Sequence, residues 1–155
     1  MESGEQRISV LFGNVQSVCN KMDELRIIVA EEKPDVLALS ETWTNENIGD
    51  GIIGIDGYEM VVRKDRDDTE GGRGGGLIVY VRRDICAWNI PVETEFNQCV
   101  TVKVKCGRED ISIHSVYRSP NSNEENDKKL VDWIATMRGT NVLIGDLKGN
   151  VFVNG

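Results

Sequence analysis

The chain has 155 residues, 39% of them hydrophobic, and its 26 acidic and 18 basic side chains give a formal net charge of −8. This composition is typical of a globular protein and excludes collagen, a coiled coil and wholesale disorder. The negative charge argues against a protein that coats nucleic acid by bulk attraction, so any contact with nucleic acid must be local. We expect residues 1–155 to form a single domain.

The sequence also limits location and metal chemistry. No segment approaches the roughly 20 apolar residues of a membrane helix, and the N-terminus lacks the apolar core of a secretory signal. We therefore expect a soluble, intracellular protein, in the cytoplasm or nucleus, without a membrane partner. His114 is the single histidine, which excludes a His-rich zinc site, and the four cysteines form no CxxC pair.

Residues 8–40 predict a strand, a helix and a second strand. Residues 8–15 alternate with strand periodicity, and residues 35–40 form the short apolar run of a buried strand that ends at Glu41. The first strand carries on one face Ile8, Val10, Phe12 and Asn14. The helix has Asn20 as its candidate N-cap and an apolar stripe at Met22, Leu25, Ile28 and Val29. A right-handed crossover between parallel neighbours would bring Asn14 and Glu41 to one sheet edge.

Two further strands are predicted at residues 57–62 and 76–83, on either side of a glycine-rich loop. The glycines fit neither GxGxxG nor GxxxxGK[ST], so nucleotide-cofactor folds are not supported. Basic side chains cluster around the loop: Arg63, Lys64, Arg66, Arg73, Arg82 and Arg83. They indicate either a phosphate-facing rim or a solvated loop with charges of both signs.

The second half of the chain predicts a hairpin, a helix and a strand. Residues 98–105 and 110–117 alternate on either side of a turn cluster. Ser122 then begins a capping box, and the helix carries an apolar stripe of Leu130, Ile134 and Met137 before Gly139. The strand at residues 141–144 leads to Asp146. This order of elements predicts an α/β sandwich of mixed sheets with the helices outside.

Five segments occur in an order that points to a family: FGNVQSV, LALSETW, EGGRGGGLIVYVRR, SVYRSP and VLIGD. Over roughly residues 8–146, the chain resembles the endonuclease/exonuclease/phosphatase superfamily, and within it the apurinic-endonuclease-like domains of non-LTR retrotransposons. The resemblance implies an α/β (α+β) fold, namely a four-layered α/β sandwich. It also implies phosphodiester cleavage of DNA with a divalent metal, Mg²⁺ or Mn²⁺.

The resemblance assigns roles to polar residues at strand ends. It implies that Glu41 is a metal ligand, that Asn14 helps hold metal or phosphate, and that Tyr117 contacts the scissile phosphate with Arg118 beside it. Asp146 would orient or deprotonate the attacking water. Hard oxygen ligands of this kind suit Mg²⁺. The structural alternatives are a surface carboxylate for Glu41, a cap for Asp146, a turn-forming Asn14 and a half-buried strand Tyr117.

The sequence departs from the family pattern in two places. Lys148 stands where the family has the asparagine of GDFN; it could neutralise phosphate charge but cannot accept a hydrogen bond. The family's terminal SDH motif does not occur, and we expect a domain that is C-terminally incomplete and lacks its last strands. Such a domain would self-associate through an uncovered sheet edge. His114 is not a replacement, because positions 114 and 117 point to opposite faces of a regular strand.

The leading hypothesis is therefore a retroelement-type, Mg²⁺-dependent DNA endonuclease domain whose activity is left open by the missing SDH motif. A second hypothesis is a catalytically dead module that binds protein, metal or nucleic acid. A third keeps the fold but changes the substrate to a small phosphoester. The ETW and YRSP segments resemble that third branch less.

Overall fold

The computed structural model describes residues 7–66, 75–92, 98–118 and 123–147, with side chains in the last segment described to residue 145. The strands are β1 Val10–Asn14, β2 Val36–Ser40, β3 Tyr58–Lys64, β4 Leu77–Arg82, β5 Ala87–Ile90, β6 Cys99–Cys106, β7 Glu109–Arg118 and β8 Thr140–Leu147. The helices are α1 Met22–Glu32 and α2 Glu124–Ala135, with short 3₁₀ turns at Val18–Asn20 and Asp50–Ile53. Within these ranges, no helix has the length and apolar character needed to cross a membrane.

The strands form two four-stranded mixed sheets, in the orders β1-β2-β4-β3 and β5-β6-β7-β8. The pairs β1–β2 and β7–β8 are parallel, and every other neighbouring pair is antiparallel. The sheets pack face to face, with β1 against β8 and β2 against β7. Helix α1 covers the first sheet and α2 the second, which gives the predicted α+β sandwich of four layers.

Strand alternation divides the apolar side chains between the layers. On β2, Val36 and Ala38 face the second sheet, whereas Leu37 and Leu39 pack under α1. All five residues of β2 are buried, because this strand is central and covered on both sides. The core between the sheets is completed by Val79 and Val81 of β4, Val102 and Val104 of β6, and Ile113 and Tyr117 of β7.

The predicted strand–helix–strand unit is present, with local corrections. Helix α1 begins at Met22 with Lys21 at the N-cap position and no side-chain cap bond, whereas Asn20 lies in the preceding 3₁₀ turn. The prediction of Asn20 as the N-cap is therefore wrong. Ile28 is 41% exposed, since α1 packs on only one side, and the buried stripe is Met22, Leu25 and Val29.

The second half follows the predicted order with longer strands. The hairpin of β6 and β7 is confirmed, with residues 107 and 108 in its turn. The N-cap of α2 is Asn123, whose side chain accepts a hydrogen bond from the Asn126 amide at 2.8 Å; Ser122 lies outside the described residues. Strand β5 was not predicted, because its short segment contains the exposed Trp88 and lacks a clear alternation.

We expect Gly145→Ala to destabilise the protein by about 1–3 kcal/mol, the usual range for overpacking a core. Gly145 has φ 151° on β8, and a Cβ there would overlap the carbonyl oxygen of Val116. Urea unfolding of both proteins measures the loss. Gly51→Ala is the control, since an added Cβ meets nothing within 4 Å, and equal stability of Gly145→Ala and wild type would contradict the prediction.

Candidate functional site

Polar residues from neighbouring strands meet where the parallel pairs end. Asn14, the last residue of β1, lies opposite Ser40 of β2, and Glu41 follows immediately. In the second sheet, the backbone of Tyr117 on β7 lies opposite that of Asp146 on β8. Because parallel neighbours end at the same edge, each sheet contributes one pair of the residues singled out from the sequence.

These two strand ends belong to sheets that pack face to face, with β1 against β8 and β2 against β7. Lys64 at the end of β3 pairs with Leu77, which in turn pairs with Ser40. Cys99 begins β6 and pairs with Val116, one residue before Tyr117. Burial raises the pKa of the Cys99 thiol to about 11, and the charge of Lys64 acts in the opposite direction. Lys64 is thus close enough to influence the second sheet at its Tyr117 end.

The backbone around Glu41 is strained. Glu41 has φ 56° and Trp43 has φ 54°, and on the adjacent exit from β1, Gln16 and Ser17 have φ 43° and 81°. Non-glycine residues rarely adopt this left-handed conformation, which typically persists only where the surroundings enforce it and is concentrated at functional sites.

Hydrogen bonds from the exit of β1 hold the segment after β2 in this conformation. The amides of Val15, Ser17 and Val18 each donate at 3.0 Å, to the carbonyl oxygens of residues 40, 41 and 42 respectively. The same segment is bonded on its other side to residues 75 and 76. The Glu41 turn is therefore bonded on both sides.

The carboxylate of Glu41 is 7% exposed and accepts hydrogen bonds on both oxygens. The indole Nε1 of Trp43 donates to Oε2 at 3.1 Å, and the amide of Gly75 donates to Oε1 at 3.4 Å. Both donors are neutral, so these bonds orient the carboxylate without neutralising it. A buried carboxylate in this state favours a cation beside it.

A second network fixes the loop that follows. Thr44 Oγ1 donates to Asp65 Oδ1 at 2.7 Å, and the same Asp65 oxygen accepts from Arg63 Nε at 2.7 Å. Arg63 also bonds Asp50 and the carbonyl of Asn45. Arg63 therefore joins β3 to the Glu41 loop and is engaged in structural ion pairs.

The other predicted site residues differ in how they are placed. Asn14 is exposed, and Tyr117 is 7% exposed in the core between the sheets. Arg118 donates through Nε and Nη2 to Asp127 of α2 at 2.7 and 2.9 Å, a bidentate pair that joins β7 to α2. The side chain of Asp146 and all of Lys148 lie outside the described residues.

The predicted basic rim is only partly assembled. Strand β4 runs antiparallel to β2, so Arg82 lies beside Asp35 at the opposite edge from Glu41, with an ion pair at 3.1 Å. Arg83 follows Arg82 there, which removes both from the rim. Lys64 and Arg66 remain near the site edge, and Arg73 lies outside the described residues.

His114 is structural in position, as its odd spacing from Tyr117 predicted. It is 5% exposed and contacts the edge of the Trp133 ring of α2, with ring centroids 5.2 Å apart. Its Nδ1 lies 2.8 Å from Thr101 Oγ1, and its Nε2 lies 2.7 Å from Asn141 Oδ1. Asn141 donates its own NH₂ to the carbonyls of residues 138 and 139, so His114 Nε2 is the donor in their bond.

Two buried hydroxyls were missed by the sequence analysis. Ser40 and Ser115 are 0% exposed, and within the described part of the chain neither Oγ has a hydrogen-bond partner. By strand alternation, both side chains lie on the face of their strand that points towards the other sheet. Ser40 directly precedes Glu41, and Ser115 is two residues before Tyr117. The sequence pattern could have indicated both serines, because each one ends or interrupts an apolar strand segment.

The oxygen-bearing side chains at this edge are of the kind that suits Mg²⁺. Among the described side chains, no group of three or more His, Cys, Asp or Glu could hold a metal ion. Glu41 offers a carboxylate whose hydrogen-bond donors, within the described residues, are neutral, and Asn14 ends the neighbouring strand. Mg²⁺ binds through one or two carboxylates and retains several waters, so these residues fit Mg²⁺ and do not form an all-protein cage.

The fold and the family model together define the class of protein to which the chain belongs. A model of the Endonuclease/Exonuclease/phosphatase family matches residues 10–147, and the chain belongs to that family. No curated protein sequence matches it significantly.

Solved structures share the fold at low identity. The AP endonuclease LMAP from Leishmania major has a TM-score of 0.70 at 17% identity, covering 92% of this chain and 55% of its own. The endonuclease domain of TRAS1, a telomere-specific non-LTR retrotransposon, has a TM-score of 0.65 at 17% identity, covering 94% and 61%. The 3′-5′ exonuclease NExo from Neisseria meningitidis has a TM-score of 0.66 at 16% identity, covering 90% of this chain and 57% of its own. The chain thus spans less than two thirds of the length of each.

We expect the stability contributed by neutral His114 to decrease as the pH falls below about 6.5. Burial lowers the pKa of His114 below its ordinary value of 6.5, and the bond to Asn141 acts in the opposite direction. The folded state therefore binds this proton less readily than the unfolded state, and the contribution is fully present only above the unfolded pKa. NMR titration of the single imidazole, with urea unfolding between about pH 5.5 and 7.5, measures both effects. A titration midpoint at or above 6.5 in the folded protein would contradict the prediction.

Proposed function

We propose that this chain is a Mg²⁺-dependent phosphodiesterase domain of the retroelement endonuclease type, acting on DNA. The observation that carries the proposal is the buried Glu41 carboxylate, which lies on a strained turn and accepts hydrogen bonds from neutral donors. This turn follows β2 directly, next to the end of β1 at Asn14. Strained backbone around a carboxylate that has only neutral donors among the described residues is the arrangement expected of a preorganised ligand rather than of a surface acid.

Each candidate residue has a distinct task in this proposal. Glu41 holds the metal ion, with Asn14 as an amide ligand to the ion or to a phosphate oxygen. A bound ion would supply positive charge to the phosphate and would polarise a phosphoryl oxygen. Tyr117 donates its phenolic hydrogen to a phosphate oxygen, and Asp146 orients the attacking water and accepts its proton. In-line displacement would leave a 3′-hydroxyl and a 5′-phosphate.

The substrate assignment rests on related proteins and on local charge. The structural neighbours named above include an AP endonuclease and a retrotransposon endonuclease domain. In a chain of net charge −8, Lys64 and Arg66 near the site edge are the described bases that could contact a DNA backbone locally. Phosphate contacts by Arg118 and Lys148 remain predictions, and for Arg118 they would compete with its bond to Asp127.

A catalytically inactive binding module is the second candidate. The observation that favours it is the position of His114, which is buried against α2 on the face opposite Tyr117. His114 therefore supplies no imidazole to this edge, and protonation of the leaving oxygen by the described residues would depend on water or on a carboxyl group. The two candidates share metal binding at Glu41 but differ in turnover.

We expect the protein to nick supercoiled plasmid with Mg²⁺ and not with EDTA, and Glu41→Gln to reduce nicking by at least about 100-fold, since it removes the charged ligand. Agarose-gel conversion of supercoiled to open-circular DNA measures the rate. Glu31→Gln is the matched control, because Glu31 is exposed on α1, away from the site.

Three outcomes separate the candidates. Metal-dependent nicking that Glu41→Gln abolishes and Glu31→Gln leaves intact supports the enzyme. Mn²⁺ binding and DNA retention without nicking support the binding module. Nicking that is insensitive to both EDTA and Glu41→Gln would overturn the proposed site.

We also propose self-association through the β1 and β8 edges, each of which pairs with one strand in the described structure. Val10 and Phe12 of β1 and Val142 and Ile144 of β8 are only partly buried on the inner faces. The opposite edge of the first sheet is better guarded, since β3 has a register shift after Met60 and carries charged residues.

We expect dimers that dissociate on dilution and that are stabilised by added salt, because salt screens repulsion between copies of charge −8. Size-exclusion chromatography with light scattering across a concentration series measures the mass. A monomer at every protein and salt concentration would contradict the proposal.

A further inference from the structure

We propose that Trp43 and the main-chain amide of Gly75 are positioning groups that hold the Glu41 carboxylate ready for a divalent cation. This inference deepens the proposed function and rests on it. Tryptophan side chains in strand-end loops commonly serve in packing, because the indole buries a large apolar area. The indole N–H of Trp43, however, points to the buried carboxylate of Glu41.

The geometry divides the two oxygens of Glu41 between two donors. Trp43 Nε1 donates to Oε2 at 3.1 Å and the Gly75 amide to Oε1 at 3.4 Å. An ionised carboxylate has about four acceptor positions, so each oxygen retains capacity for a cation or water. The carboxylate is therefore oriented without being saturated.

The donors are themselves fixed by reciprocal bonds. The amide of Trp43 donates to the Gly75 carbonyl at 3.1 Å, and the amide of Thr42 donates to the Gly76 carbonyl at 3.4 Å. Gly76 has φ +96°, and a Cβ there would overlap Thr42 Oγ1, so only glycine allows this close approach. The turn at residues 41–43 and the residues 75–76 thus form one hydrogen-bonded unit.

Neutral donors are chemically suited to this task. A lysine or arginine at the same distance would orient Glu41 but would also cancel the charge that attracts a cation. An indole and an amide restrict the carboxylate and leave its charge available. Groups that orient a ligand in this way typically change metal affinity by about 10–100-fold when removed.

The test is calorimetric titration of Mn²⁺ into wild type, Trp43→Phe and Trp88→Phe. We expect Trp43→Phe to weaken binding by about 10–100-fold. Trp88→Phe should bind as wild type does, because Trp88 lies on the edge strand β5. Thermal unfolding without metal shows whether each variant is folded.

A second replacement isolates the hydrogen bond. Benzothienylalanine at position 43 retains the bicyclic shape and lacks only the N–H donor, and it should weaken Mn²⁺ binding as Trp43→Phe does. Wild-type affinity in both replacements, with binding still lost in Glu41→Ala, would overturn the role of Trp43 and leave the proposed function standing. Absence of Mn²⁺ binding in wild type would overturn both.

Discussion

Three backbone hydrogen bonds, from the exit of β1 to residues 40–42, are the constraint on which the candidate site depends. They extend the parallel β1–β2 ladder beyond the end of the sheet and hold Glu41 in a left-handed conformation. Without them, the relaxed turn would direct the carboxylate elsewhere, since backbone strain persists only where surrounding contacts enforce it. The close approach at Gly76 secures the same turn from the other side.

The packing of the two sheets then determines which residues share an environment. Alternation places Tyr117 in the core between the sheets and His114 on the outer face beneath α2. The same strand therefore supplies one residue to the core between the sheets and one to a structural hydrogen-bond network. Within the described residues, the buried hydroxyls of Ser40 and Ser115 have no hydrogen-bond partner, and they lie on the inner side, where an unpaired polar atom is costly.

Much of the fold could be predicted because its signals are local. The alternation of β1, β6 and β7 and the apolar run of β2 each follow from side-chain burial on a pleated strand. The parallel β1–β2 pair placed Asn14 near Glu41 correctly. The cap at Asn20 and the burial of Ile28 were wrong, because a 3₁₀ turn precedes α1 and the helix packs on only one side.

The sequence by itself determined the strand faces, the parallel first unit, the family resemblance and the polar residues at strand ends, because these depend on periodicity and on residues close together in the chain. Only the tertiary structure decided that Arg82 lies at the far edge, that Arg118 pairs with Asp127, and that Trp43 and Gly75 bond Glu41. Those contacts follow from sheet order and strand direction, which bring distant segments together and are not encoded in any local pattern.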